Sequence, residues 1–532
     1  MTVHAKTRRT QKIRKTRRNG KTRVTRKAQR KGSIPKLEKE LGISVYPNSI
    51  NEYHGTKVFM AREKKGKFLY AVSDSDDESA FKGFEGEVIR ATGGEVMKKC
   101  PVNHHNAEAL QKICPFTKPV TIGLKNSYGF GDRLGLANPG HLRALKGYKF
   151  MPVLAQQSIR ELTRTQRTPE EVMDAAVWAA FQEGYKDGFG ADADHLKTTD
   201  DVDRLMKAGF TMFTIDPSDH VVNGVAEISE PDLLRRVAGL PWSDFGDSYE
   251  NLLARYESKS TKLRGGYSIT STKRSVLEAC LKYMAAIINV KRIHNHLKTK
   301  HADHDCEIEV SIDETDTVTT PFEHFFIVNE LKRMGVGFVS LAPRFVGDFE
   351  KGIEYKGDIE LFKEHYLQHA AIAEYFGFYK ISFHSGSDKF RIYEAVGAMK
   401  QTRIHVKTAG TSYLEALKVV AMKDPKLFRE ILDYALSLFD TERKSYFVSA
   451  DMKKIRPGAQ YKDNELAGLF DSNDVRQALH VTYGRVLTDR NEKGQYIFRD
   501  RIYECLNNNE ALHYDLLVKH FDRHLKPFKK WK

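Results

Sequence analysis

The chain has 532 residues, 40% of them hydrophobic and 29% charged, with a formal net charge of +16. That is enough chain for a large core, and the absence of any apolar run of about 18 residues excludes a transmembrane helix as an expectation. The charge is uneven: the first 36 residues hold 15 Lys and Arg and no acidic residue, so residues 37–532 carry only about +1.

Residues 1–36 have too few apolar side chains to bury and too much like charge to fold alone. They read as a disordered basic tail, without the apolar h-region of a signal peptide. A sharper reading is an arm that binds nucleic acid through its phosphates, although the tail has no interleaved aromatics for base stacking.

From residue 37 to about 116 the sequence reads as a small α/β cap, with KVFMAREKKGKFLYAV forming a hairpin around a Lys/Gly turn. The five cysteines, Cys100, Cys114, Cys280, Cys306 and Cys505, are odd in number and scattered, which fits reduced thiols in a cytoplasmic protein. Cys100, His104, His105 and Cys114 cluster, but their spacing matches no standard zinc module.

From about residue 117 short apolar strands alternate with helices. Eight strands are predicted: 120–126, 150–157, 189–195, 210–216, 307–313, 336–343, 379–385 and 403–408. TPEEV carries a helix start, with Thr168 as N-cap, Pro169 in the first turn and Glu171 closing a capping box. Eight strand–helix alternations predict an α/β fold built on a (β/α)8 barrel of the TIM type over about 117–430. The long gap between the fourth and fifth strands predicts a helical insertion at about 221–305, and residues 431–532 read as a helical C-terminal extension.

Side chains alternate along a strand. In EIEVSID, Ile308, Val310 and Ile312 face the helices, so Glu307, Glu309, Ser311 and Asp313 face the barrel axis. The same rule turns Ser382, His384, His405 and Lys407 inward. In FGADADH it turns Asp192 and Asp194 inward and leaves His195 at the strand's exit. Barrel interiors are ordinarily Val, Ile and Leu, and unpaired buried charge costs several kcal/mol. Buried salt bridges, such as Lys407 with Glu309, are one solution. A polar active site is the better account of the whole set, and His, Asp and Glu converging from several strands are also divalent-metal ligands.

HSGSDK follows the seventh strand, and KTAGTSYLEAL follows the eighth and enters a helix with Thr411 or Ser412 as N-cap. Those loops form the usual anion site of such barrels, so a carboxylate or phosphate on the substrate is expected. Arg133 and Arg344, in loops after the first and sixth strands, are further anion-binding candidates, or else structural ion pairs.

The segments GFGDRLGLANPGH, VLAQQSIRELTRTQRTPEEVMDAA, GFGADADHLKT, AGFTMFTIDPSDH and FHSGSDKF resemble the tagaturonate/fructuronate epimerase family. The resemblance runs from about residue 40 to the C-terminus and does not include the basic tail. It implies an isomerase, dependent on a divalent metal, that interconverts D-tagaturonate and D-fructuronate, with tagatose and fructose as neutral alternatives. These sugars differ at a carbon β to the ketone, which enolisation cannot invert. Retro-aldol cleavage and re-addition to the other face of the aldehyde can. The resemblance, together with the strand faces, implies Asp194 as proton acceptor, Glu309 as proton donor, and His195, Glu350 and His384 as metal ligands. Arg133, Gln156, Asp216, Arg344, His405 and Lys407 are implied for substrate binding; Asp192, Asp216 and His405 are alternates for a place in the site. Mixed His/carboxylate ligands suit Mn, Zn, Fe, Ni or Co. A metal-dependent aldolase or sugar isomerase in the same barrel is the rival enzyme, and a nucleic-acid-associated protein the rival of another class.

Overall fold

The computed structural model describes residues 33–64, 66–73, 81, 83–90 and 96–531. The expectations for the tail up to residue 32 lie outside these residues. The last residues of the predicted tail belong instead to a helix, Ser33–Leu41. The chain divides into one unit ending at Val102 and another starting at Asn103, ahead of the 116 expected for the cap.

The first unit is an antiparallel sheet. Its strands are β1 (Ser44–Val45), β2 (Asn51–Tyr53), β3 (Thr56–Glu63), β4 (Gly66–Ser73), β5 (Glu87–Arg90) and β6 (Val96–Pro101). They run in the order β1-β3-β4-β6-β5, with β2 also on β3. The predicted hairpin is β3 and β4, paired from Lys57–Val72 to Glu63–Gly66. Leu37, Phe59, Tyr70 and Met97 build the core of this unit.

The second unit is organised by a closed parallel barrel. Its strands are β7 (Ser127–Phe130), β8 (Met151–Ser158), β9 (Gly190–Leu196), β10 (Met212–Ile215), β13 (Glu307–Ile312), β14 (Ser340–Pro343), β15 (Lys380–Phe383) and β16 (Ile404–Thr408). A small ribbon, β11 (Ser260–Lys262) with β12 (Ser268–Thr270), lies in the insertion after β10 with helices Glu230–Ala238, Tyr249–Tyr256 and Lys273–Lys300. Helices from Pro425–Glu442 to Glu510–Leu525, with shorter turns between them, follow the helix Thr411–Lys423. They share with it a core of Leu414, Leu417, Phe428, Ile431, Leu479 and Val486. Among the described residues no helix is long and apolar enough to cross a membrane.

Two expectations are corrected. The first barrel strand is 127–130, not 120–126. The apolar run VTI looked like a strand, but it crosses the barrel's N-terminal mouth. There Val120 N–H donates to Phe189 C=O, the Ile122 and Gly123 N–H groups donate to the Glu307 carboxylate, and Ile122 is buried. The N-cap of Thr411–Lys423 is Gly410, at φ 83, rather than Thr411 or Ser412. The Thr411 and Ser412 hydroxyls are occupied by His520 and His141, at 2.7 Å each. The capping box at Thr168 forms as expected.

Candidate active site

Strict alternation would send the neighbours Asp194 and His195 to opposite faces of β9. The structure places both in the cleft at the C-terminal end of the barrel. Phe213 pairs with Ala193 and Ile215 with Leu196, so Asp194 and His195 together oppose Thr214. This bulge bends the strand and re-aims its side chains. His195 takes φ 53, left-handed backbone that is costly for a residue with a Cβ and is concentrated at functional sites.

Below the mouth a single ammonium holds three carboxylates. Lys407 Nζ lies 2.6 Å from Asp192, 2.7 Å from Asp194 and 2.8 Å from Glu309. All four side chains are buried or nearly so. Burial alone would lower the Lys407 ammonium, but the three carboxylates hold it well above its ordinary value. It is therefore a charged anchor. Burial, with the neighbouring Asp194 and Glu309 charges, raises Asp192 to about 6 against the pull of Lys407. Asp194 is held low against burial by His195 and Lys407, and Glu309 by Lys407 and His384. Close approach of Gln156 to β7 requires Gly129: a Cβ there would meet Gln156 Oε1 at 1.7 Å. Gln156 crosses to donate to Thr408 C=O at 3.0 Å, leaving its own Oε1 buried without a partner.

At the mouth, His384 Nδ1 lies 3.2 Å from Asp313 Oδ1, and its Nε2 lies 2.7 Å from Glu309 Oε1. His195 Nε2 is 3.8 Å from the same Asp313 oxygen. One ligand atom each from His195, Asp313 and His384 falls within 4.8 Å of the others. Metal–ligand bonds near 2.1 Å bring ligand atoms roughly 3–4 Å apart, so this group needs only a small contraction to hold a divalent cation. Against burial, Asp194 and Asp313 keep His195 well above its ordinary value, and Asp313 and Glu309 raise His384 to about 9. Both rings would have to lose a proton to become ligands.

Glu350 is not in this group. Its carboxylate accepts from Lys356 at 2.9 Å, from Ser449 N–H and Oγ at 2.9 and 2.8 Å, and from Gln477 at 2.7 Å. It ties the loop after β14 to the C-terminal helices. Asp313, not Glu350, is the carboxylate within 4.8 Å of His195 and His384. Its signal was its place two residues past Ser311 on the inward face of EIEVSID. Two further clusters, Asp203/His296/His301 and Asp388/His520/His524, have ligand-like spacing but do not line the cleft. The Cys100/Cys114 cluster is not among such groups of the described residues.

The implied substrate-binding residues divide. Arg133 lines the cleft, but its guanidinium pairs with Glu161 at 2.9 Å and stacks 3.5 Å over Tyr483. Arg344 also lines it while donating to Thr315 C=O. Asp216 reaches the cleft, accepting from Ser218 N–H at 2.9 Å. His405 lies deeper, 2.8 Å from Ser127 Oγ, and burial pushes it down to about 3, so it is neutral. Lys351, Glu314, Tyr446 and His480 line the cleft without having been picked out from sequence.

The model of the tagaturonate epimerase family matches residues 46–528. The chain belongs to this family. A tagaturonate/fructuronate epimerase of Thermotoga maritima is 43% identical over 491 residues, covering 91% of this chain and 96% of the relative. The native crystal structure of the fructuronate-tagaturonate epimerase of Cohnella laeviribosi is 38% identical, with a TM-score of 0.85 over 93% of this chain and 99% of that one. A glycerol complex of the Cohnella enzyme gives 0.86 over 94% and 99%. The barrel fold expected from sequence is thus that of the epimerase family, whose sequence pattern leaves out the basic tail.

Proposed function

We propose that this member of the epimerase family interconverts D-tagaturonate and D-fructuronate by breaking and remaking one carbon–carbon bond. Counting from the carboxylate, the ketone is carbon five and the inverted centre carbon three. Deprotonation next to the ketone would reach carbon four, so inversion at carbon three needs cleavage of the C3–C4 bond. Asp194, held ionised, accepts the proton of the carbon-three hydroxyl. The C3–C4 electron pair moves onto carbon four and into the ketone, giving an aldehyde and an enediolate. The aldehyde turns, and carbon four adds to its other face. The new alkoxide takes back one proton, so nothing is consumed.

The observation that carries this reading is the Lys407 anchor. It touches Asp194 and Glu309 at 2.7 and 2.8 Å and so joins an acceptor to a second carboxylate. Glu309 is ionised at rest. It becomes a donor by taking a proton from Lys407 at 2.8 Å, which Lys407 recovers from Asp194 at 2.7 Å. A divalent cation, of the Mn, Zn, Fe, Ni and Co group, would be held by His195, Asp313 and His384 and would supply Lewis acidity for charge developing on the substrate oxygens. The test is to incubate the purified protein with D-tagaturonate and look for fructuronate. Three-carbon products without the epimer would make it an aldolase instead.

A further inference from the structure

The sequence offered Arg133, Arg344 and the loops after β15 and β16 as places for a substrate carboxylate. In the structure the cations of the cleft are mostly committed. Arg133 is paired with Glu161 and stacked on Tyr483. Lys407 serves three carboxylates. Lys197 serves Asp219 at 2.6 Å, and Arg344 reaches to the Thr315 carbonyl. Lys351 differs. It borders both arms of the cleft, each about 250–260 Å³. No carboxylate of the described residues pairs with it, and its ammonium donates to Ser385 Oγ at 2.6 Å. Ser385 is the residue after His384 and is itself at φ 50. Arg160 borders the same two arms, exposed and only loosely paired with Glu314 at 3.8 Å.

Acidic side chains border both arms, Asp194 and Glu314 among them, so a free cation there is the exception. Burial, Arg133 and Lys351 keep the neighbouring His480 neutral, well below its ordinary value. An anionic head group on a polyhydroxy ketone is matched by Lys351, the cation that no carboxylate of the described residues holds. We infer that Lys351, with Ser385 and Arg160, forms the subsite for the substrate's carboxylate and sets the preference for a hexuronate over a neutral ketohexose. This rests on the epimerase reading above for the substrate, but the subsite itself is read from the cations of the cleft.

Lys351→Gln and Lys351→Arg test it. Steady-state kcat and KM are measured with D-tagaturonate and with D-tagatose, and inhibition constants with D-galactonate and its uncharged counterpart galactitol. Lys351→Gln removes a charge-assisted hydrogen bond to the ligand, which raises KM for tagaturonate and Ki for galactonate about 10- to 100-fold, with kcat falling less. The ratio of kcat/KM for acid over neutral sugar drops by the same factor, and Lys351→Arg restores most of it. Equal losses with both sugars, or a galactonate Ki that does not move, would overturn the subsite. A wild-type protein that leaves tagaturonate unchanged, yet loses galactonate affinity on Lys351→Gln, would overturn the epimerase reading and keep the subsite.

Discussion

Asp194 Oδ1 and His195 Nδ1 lie 2.9 Å apart although the two residues are neighbours on one strand. Only the bulge opposite Thr214 allows this. It puts a carboxylate and an imidazole on one side of β9, where a regular strand would have hidden one behind the barrel wall. The two proposed roles, proton acceptor and metal ligand, meet across a single hydrogen bond, which makes them separable by mutation. If Asp194 is the proton acceptor proposed above, Asp194→Asn keeps shape but lowers turnover about 10²- to 10⁴-fold while bound metal stays near the wild-type level. Metal analysis beside steady-state rates checks this. A variant whose metal content falls in step with its activity would make Asp194 a support for His195.

The proposed ligand group of His195, Asp313 and His384 gives a second expectation. Dialysis against a chelator should abolish turnover, and added divalent cation should restore it. His384→Ala and Asp313→Ala should each lose bound metal and activity together. Glu350→Ala should keep the metal, because its carboxylate is spent on Lys356, Ser449 and Gln477. Metal content by mass spectrometry decides it: a Glu350→Ala protein that is empty while Asp313→Ala is loaded would return Glu350 to the ligand set.

These placements show what local pattern can and cannot convey. The inward positions of Asp192, Glu309, His384 and Lys407 were legible because period-two alternation in a closed barrel fixes the face of every strand residue. The first strand was misplaced because VTI is apolar for a different reason: it plugs the barrel mouth. Loop residues were the least legible. Nothing near Glu350 in sequence marks Gln477 as its partner, and nothing near Lys351 marks its lack of a carboxylate. Both facts depend on which distant element packs there.

The C-terminal helices are clamped by a buried charge cluster with a pH signature. His520 lies 2.9 Å from Asp388 and 3.1 Å from Glu415, and Asp388 also pairs with Arg476 at 2.6 Å. Against burial, Glu415 and Asp388 raise His520 to about 9, while burial and His520 push His524 down to about 3. A histidine raised in the folded state adds stability that is complete below its unfolded value near 6.5 and is lost as pH climbs through about 9. The contribution is on the order of 3 kcal/mol. Urea unfolding at pH 6, 7.5 and 9 should show stability falling across this window in the wild type and a flatter profile in His520→Gln. Parallel profiles would mean that the imidazolium is not what holds the helices.

Lys407 is the group whose removal should do most damage. It is 3% exposed and touches Asp192, Asp194 and Glu309 at once. Replacing it by methionine fills similar volume but removes the shared counter-charge of three carboxylates and leaves Asp192 uncompensated in a low-dielectric interior, at a cost of about 3–5 kcal/mol. Turnover should vanish with it, because Asp194 and Glu309 then compete for protons rather than exchanging them. Loss of fold and loss of charge balance are told apart by pH. In the wild type Asp194 and Glu309 are held below their unfolded values. They therefore contribute stability above about pH 4 that disappears as pH falls through their folded values. In Lys407→Met Asp194 keeps His195 and Glu309 keeps His384, but Asp192, already raised by burial, loses its counter-charge, so its penalty grows with pH. The stability gap between the two proteins should be widest near pH 8 and should narrow toward pH 5. A gap that stays constant would assign the loss to packing, and Lys407 would be a filler of the barrel rather than the counter-charge of its carboxylates.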